Sequence, residues 1–337
     1  MGTRIVVVGA GIVGAAVAYE AARAGGDVVL IDKALPGSGV TADSFAWIGE
    51  PRSGDAVDAS TALRRGVLRD WRRWEADVPG LRVRWRGVLL CGEGEPITDA
   101  ARLEPHLRQP PAHAVFLESH GAVDPVAVTQ ALVRAARSHG ARLMANTAVA
   151  ALLMRDGRVA GVRWSGGGVD ADTVVVAAGA DAPALLSPLG FDLPVTPSPA
   201  LLMRFAAPPG LVRTLVVTPE LEVREAADGE LVVADAYHGE TDHDELRRAG
   251  EAMRRRLVAT FDTHAVQLVG VRLGTRPMPA DGLPLIGPVP GVEGAYVAVM
   301  HSGVTLAPSA GRLIASELVA GVEAAELAAL RPAHRRT

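Results

Sequence analysis

The sequence predicts an α/β fold organised around a parallel sheet, and three observations carry that prediction. Ile5–Val8 is a continuous β-branched run that enters Gly9-Ala10-Gly11-Ile12-Val13-Gly14 and then the helix-forming stretch Ala15–Ala24. A second buried run, Thr173–Ala178, closes on Gly179 far downstream. A third, Tyr296–Val299, turns through Ser302-Gly303 into another helix. Unbroken apolar runs of this kind mark strands covered on both faces, as strands in a parallel sheet are.

The elements follow in order. Gly25-Gly26 ends the first helix, Val28–Ile31 is a second buried strand, and Asp32 stands at its carboxyl end. This completes a β-α-β unit of about 30 residues. Pro36-Gly37-Ser38-Gly39 then breaks the chain. A helix is expected over 59–78, because Leu63, Val67, Trp71, Trp74 and Val78 recur at helical spacing. Arg64, Arg65, Arg69, Arg72 and Arg73 would form its solvated face. Strand-like pieces at 82–85 and 88–91 lead into a proline-rich connection through Pro105, Pro110 and Pro111. Asp124-Pro125 opens a helix expected to reach residue 138, since the carboxylate accepts from free N–H groups and proline suits the first turn. Strands at 142–144, 148–154 and 158–162 come next, the last two joined at Asp156-Gly157, which suits a tight hairpin. Residues 191–274 are mostly β, with strands near 201–205, 215–217 and 231–234 and a polar helix over 242–261. A final helix is expected over 307–320, and the tail 331–337 is expected to be disordered.

Composition narrows the function. The 337 residues suggest one large or two moderate domains. Lys and Arg number 34 against 38 Asp and Glu, a net charge of -4, and aromatics are 4%. Neither a polyanion-binding field nor a base-stacking platform is present, which argues against nucleic acid as a partner. Cys91 is the single cysteine, so an internal disulfide, a multi-cysteine zinc site and an iron–sulfur cluster are excluded, and no metal is expected. Lys33 is the single lysine, and its place beside the nucleotide motif makes it a poor aldimine former. No signal-peptide pattern is present, and no apolar run reaches the roughly 18–20 residues of a membrane span. A soluble cytoplasmic protein is expected.

The strongest chemical signal is the glycine motif in its full context. The glycines permit a tight turn and close approach of a pyrophosphate, which the positive helix N-terminus attracts. Asp32 lies eighteen positions after Gly14 and is placed to accept hydrogen bonds from a ribose diol. A carboxylate there disfavours a 2′-phosphate, so an adenosine dinucleotide with an unphosphorylated ribose is expected. Lys33 then lies near the adenosine.

Several separated blocks extend this reading. They are Gly9 to Asp32, Pro36 to Thr41, Ser44-Phe45-Ala46-Trp47, Leu103-Glu104-Pro105 and Gly121 to Pro125. Ala177-Ala178-Gly179, Arg276-Pro277 with Asp281 to Gly287, and Ser302 to Pro308 complete them. With these blocks the sequence resembles the FAD-dependent D-amino acid oxidase-like family, in the branch of glycine oxidase, sarcosine oxidase and D-amino acid dehydrogenase. The resemblance implies a Rossmann-like FAD-binding domain from residues 1–80, 119–190 and 275–337, with an inserted β-rich substrate domain from 81–118 and 191–274. No block matches within 191–274, and the chain is short for the family, with the shortfall expected in the substrate domain.

The resemblance also implies the site. Gly9, Gly11, Ile12, Val13, Gly14, Asp32 and Lys33 would bind the dinucleotide, and Thr41, Ser44 and Ala46 lie where the chain passes the flavin. Val149 matches the backbone contact to the adenine, and Ala178-Gly179 closes the cofactor side. Gly303, Val304, Thr305 and Leu306 would approach the flavin's pyrimidine edge, where a helix N-terminus favours the charge developed on reduction. Arg276 stands where an arginine holds the substrate carboxylate, and a guanidinium makes that contact bidentately. His301 stands where some relatives carry a second arginine, and Tyr237 is the candidate hydroxyl. There is no lysine after Lys33 to activate oxygen, and Cys91 is not where relatives attach the flavin, so FAD is expected to be noncovalent.

The activity implied is oxidation of the C–N bond of a small amine or amino acid by hydride transfer to flavin N5, giving an imine. Oxygen or another acceptor would take the electrons. One alternative is a flavin subunit of a multi-subunit amino-acid dehydrogenase; another is a non-catalytic nucleotide-binding regulator. A homo-oligomer or a partner subunit stays open.

Overall fold

The computed structural model describes residues 2–52, 55–96, 99–227 and 229–332. The β-branched runs assemble into a six-stranded sheet in the order Leu285–Pro288, Ala295–Val299, Thr173–Val176, Arg4–Val8, Asp27–Ile31, Arg142–Met144. All neighbours are parallel except Leu285–Pro288, which runs antiparallel to Ala295–Val299. Alternation along each strand divides the side chains between two layers. Ile5, Val7, Val28, Leu30 and Val175 pack under the helices Ile12–Arg23, Pro125–Ser138 and Gly303–Ala320. Val6, Val8, Val29, Ile31, Val174 and Val176 pack against an antiparallel layer of Ala151–Arg155, Arg158–Trp164 and Gly167–Asp170. Helices Ile12–Arg23 and Gly303–Ala320 meet at Gly311, where a Cβ would stand 3.0 Å from Ala16. Both helices follow central strands, so both N-termini open at the carboxyl edge of the sheet, the usual ligand edge of such folds.

A seven-stranded sheet forms the second layer system. Its order is Gln267–Pro279, Val195–Ala206, Glu230–Ala236, Glu222–Glu225, Leu215–Val217, Val88–Pro96, His113–Leu117. One face, through Met203, Phe205 and Val233, packs on Met253 and Leu257 of the helix His243–Thr260. The pleat turns Ser198, Ala200, Leu202, Glu222, Ala234 and Arg276 to the opposite face, over the carboxyl edge of the first sheet. Arg224 joins the two bodies: its Nε donates to Phe45 O at 2.6 Å and its Nη2 to Val123 O at 3.1 Å. Among the described residues, no helix is long and apolar enough to cross a membrane.

Four expectations need correction. The helix expected over 59–78 breaks at Gly66, whose φ of 88° is left-handed, into Thr61–Arg64 and Val67–Asp77. Its arginine face is only partly solvated: Arg73 pairs with the buried Glu20 at 2.5 Å, and Arg72 covers Trp85 at 4.4 Å. The last helix begins at Gly303 rather than 307, because the Ser302-Gly303 turn is already its first turn. Arg331 is ordered: its guanidinium pairs with Glu317 and reaches the Tyr296 hydroxyl at 3.2 Å, since Leu327 and Leu330 anchor the preceding segment in the core. The rest of the expected tail, from 333 onward, lies outside the described residues.

Candidate active site

The two sheets enclose a cleft of about 1750 Å³. Small-molecule pockets are typically about 300–1,000 Å³, so there is room for a dinucleotide together with a substrate. The glycine turn forms one wall. Gly9 has φ 106°, and a Cβ on it would lie 2.4 Å from Ala177 O. Gly14 does not line the cleft; a Cβ there would fall 1.8 Å from Gly9 O, so it serves the close packing of helix on strand. Gly11 caps the first helix without a side-chain hydrogen bond, and Ile12 N donates to Thr41 Oγ1 at 3.1 Å. Gly11, Ile12, Val13 and Thr41 thus present a partly uncapped helix N-terminus to the cleft, a ready anion site.

Asp32 lines the same wall and also holds it together. Its Oδ2 accepts from Ala10 N at 2.5 Å and its Oδ1 from Ala34 N at 2.8 Å. Each oxygen keeps a second acceptor position, so a ribose hydroxyl still finds a partner. Lys33 sits at the rim in an exposed ion pair with Asp181 at 2.5 Å, a contact of small energetic weight. Val149 lines the cleft just ahead of Ala151–Arg155 rather than at a strand start, and Thr147 N donates to Asp32 O at 2.7 Å to fix that segment.

Ser44, Ala46, Ala178 and Gly179 line the middle of the cleft. Ala46 adopts φ 60°, an uncommon conformation for a residue with a Cβ, and lies next to the carbonyl that Arg224 grips. The second helix N-terminus enters here through Gly303, Val304 and Thr305, and Ser302 caps it without a side-chain bond. Thr305 Oγ1 donates to Trp47 O at 2.7 Å, and Trp71 Nε1 donates to Thr305 O at 3.1 Å, which fixes the turn. Leu306 points into the helical core instead, 1% exposed.

Arg276 and His301 come together at one end. Arg276 Nη2 donates to Ser198 Oγ at 2.9 Å and its Nε to Ser198 O at 3.4 Å, so the guanidinium is held from the sheet side while lining the cleft. Desolvation, then the positive charges of Arg276 and Arg64, lower the pKa of His301, which keeps its imidazole neutral at pH 7. Tyr237 is not brought here: it packs against the cluster between the seven-stranded sheet and the helix His243–Thr260.

The sequence reading passed over two residues. Arg64 belongs to this cationic end of the cleft, although it lay on an apparently solvated helix face. Glu222 lies at another part of the cleft wall, half-buried; burial pushes its carboxyl up to about 7, against the pull of Arg224. Its signal was the alternation Leu221-Glu222-Val223, which places one carboxylate on the face opposite two core residues. Cys91 is half-buried against the other face of its sheet, with its thiol pushed up to about 11.

These features fit FAD: a tight glycine turn, two helix N-termini with free N–H groups, a carboxylate, Asp32, with spare acceptor positions, and a cleft large enough for both ligands. The comparisons agree. Glycine oxidase of Pseudomonas aeruginosa is 28% identical over 353 residues, covering 96% of this chain and 96% of that protein. Coverage of that extent takes the likeness through 191–274, where no sequence block was found, and across nearly the full length of the relative. The structure of glycine oxidase from Geobacillus kaustophilus superposes with a TM-score of 0.83 at 24% identity, over 99% of this chain and 100% of that one. Iminodiacetate oxidase from Chelativorans sp. BNC1 superposes with a TM-score of 0.80 at 25% identity, over 98% and 99%. The model of the family described as FAD dependent oxidoreductase matches residues 4–317, and the chain belongs to that family as an FAD-dependent enzyme.

Proposed function

We propose that this enzyme oxidises the C–N bond of a small amino acid or amine to the imine. The observation that carries the reading is Arg276, fixed by Ser198 and lining the cleft beside a neutral His301. Relatives named for glycine and iminodiacetate oxidation support the substrate class. Bound FAD supplies the two-electron acceptor for a hydride from the carbon bearing nitrogen. The chain supplies the rest. Arg276 grips the carboxylate and so fixes the α-carbon. His301, kept neutral beside Arg276, donates a hydrogen bond to the bound substrate, which reacts as its neutral amine. The N-termini at Gly11 and Gly303 favour negative charge on the pyrophosphate and on the reduced ring edge.

On this reading segments 1–80, 119–190 and 275–337 hold the cofactor, and 81–118 with 191–274 shape the substrate pocket. FAD is noncovalent, since Cys91 faces away from the cleft and its thiol resists ionisation. The test is a visible spectrum of the purified protein followed by anaerobic addition of glycine, sarcosine, proline and D-amino acids. Bleaching of the flavin by at least one of them is expected. A flavoprotein bleached by none of them, or colour that stays with acid-precipitated protein, overturns the corresponding claim.

A further inference from the structure

We infer that Glu222 selects substrates that carry a cationic nitrogen far from the carboxylate, so that the preferred substrate is an elongated amino acid or amino-acid derivative with a positively charged tail. The inference rests on the proposed role of Arg276 and adds the second anchor.

The geometry comes from the sheet register. Glu222, Ala234, Leu202 and Arg272 form one row across four strands, while Arg276 lies four residues farther along the last of them. At about 3.3 Å per residue and about 4.8 Å per strand, the two Cα atoms stand roughly 13 Å apart along the strands and 14 Å across them. Side chains stand roughly perpendicular to a sheet, and Ser198 holds the guanidinium over the neighbouring strand, so on the order of 15 Å separates the two groups. An α-amino group one carbon from the gripped carboxylate cannot touch Glu222. A tail can.

Between the two anchors the cleft face carries the small side chains of Ala200, Ala234 and Ala236, which leave room for a chain over these two strands, while Asp43 covers Gly274 beside them. The charged groups near Glu222 are otherwise engaged. Arg224 donates to the carbonyls of Phe45 and Val123, Arg272 pairs with Asp43, and Arg204 pairs with Glu230. Glu220, at the exposed edge, accepts from Thr218 Oγ1. Among the described residues no cation lies within ion-pair distance of the Glu222 carboxylate. A half-buried carboxylate without a partner is costly, and a cationic ligand group offsets that cost. At the far end Arg276, Arg64 and His301 face the same cleft, so its charge runs from basic to acidic along the path of the ligand.

The experiment uses the FAD-loaded enzyme and calorimetric titration with 6-aminohexanoate and with hexanoate, two carboxylates that differ only in the terminal ammonium. The wild type should bind 6-aminohexanoate at least roughly tenfold more tightly, the usual scale of a charge-assisted contact. Glu222→Gln should erase that difference and leave hexanoate unchanged, whereas Arg276→Ala should weaken both ligands alike. Should Glu222→Gln fail to fold, Glu222→Ala is titrated in its place. Equal binding of the two ligands by the wild type, binding of neither, or a preference that survives both Glu222 variants overturns the inference. A flavin that no amino acid bleaches, or hexanoate binding indifferent to Arg276→Ala, strikes instead at the proposed function.

Discussion

Arg276 and Ser198 face each other across the antiparallel ladder of Gln267–Pro279 and Val195–Ala206, and the Nη2–Oγ bond of 2.9 Å sets the plane of the guanidinium. The backbone carbonyls of Ser198 and Pro199, each at 3.4 Å, complete the hold. The arginine is therefore oriented before any ligand arrives, and orientation is what a two-point carboxylate contact needs.

Replacing Arg276 should therefore act on the ligand rather than on the cofactor. Arg276→Ala should leave FAD bound and raise the concentration of amino acid for half-maximal bleaching roughly thirtyfold or more, from a lost pair worth about 2–5 kcal/mol. Arg276→Lys should restore little, because an ammonium cannot make the planar contact. Ser198→Ala should give a smaller, few-fold loss of the same kind. The decisive comparison is an amino acid with its decarboxylated analogue; equal losses for both show that the arginine is structural.

Asp32 holds the glycine turn through Ala10 N and Ala34 N, the proposed cofactor mode gives it the ribose as well, and its variants should separate the two. Asp32→Ala removes acceptors from Ala10 N and Ala34 N as well as from the ribose, so FAD affinity should fall tenfold or more and the thermal midpoint of the FAD-free protein should fall too. Asp32→Asn keeps one acceptor oxygen and should retain more of the midpoint than of the affinity. Flavin fluorescence titration and thermal melts measure the two quantities. Unchanged affinity in Asp32→Ala removes the ribose assignment.

The part of this fold built on the six-stranded sheet was legible because its physics is local. Gly9, Gly11 and Gly14 must stand at fixed offsets for a helix to start over a strand, and the doubly covered strands must be unbroken apolar runs. The seven-stranded sheet depends on pairings between distant segments. Glu222 becomes a cleft residue only through its register with Ala234 and Leu202, and Tyr237 leaves the site because the strand Glu230–Ala236 ends just before it and the side chain joins the helix-facing cluster. Arg331 was misjudged for a similar reason. A terminal arginine run resembles a solvated tail until Glu317 and Tyr296 are placed beside it.

Arg224 should couple the seven-stranded sheet to the Ser44–Ala46 segment. Its burial lowers its pKa to about 10, yet it donates to two carbonyls of the other body and covers Phe45 at 5.4 Å. Arg224→Met leaves both carbonyls unpaired, at a cost of about 1–3 kcal/mol each when buried. The expected result is a lower thermal midpoint together with a several-fold weaker FAD affinity, because the Ser44–Ala46 segment loses its hold. A lower midpoint with unchanged affinity would mean that Arg224 only joins the two sheets.

Glu222 should leave a pH signature in stability that needs no ligand. Its folded-state carboxyl titrates near 7, raised by burial, against about 4.3 for an ordinary glutamate in the unfolded chain. Between those values the folded protein holds the proton more tightly, so this group's contribution is full below about pH 4 and is lost as pH rises towards and through 7. Glu222→Gln carries no such proton. The difference in thermal midpoint, variant minus wild type, should therefore be near zero at acid pH and grow to a positive plateau above about pH 7.5. The full shift corresponds to about 4 kcal/mol, and because Glu222 is only half-buried, solvent screening reduces that to roughly 1–3 kcal/mol, hence a few degrees. Addition of saturating 6-aminohexanoate at pH 8 should narrow that difference, because only the wild type gains the ion pair. A variant whose midpoint tracks the wild type at every pH, with and without that ligand, shows that the carboxylate is solvated in the folded protein and has no part in holding a cation.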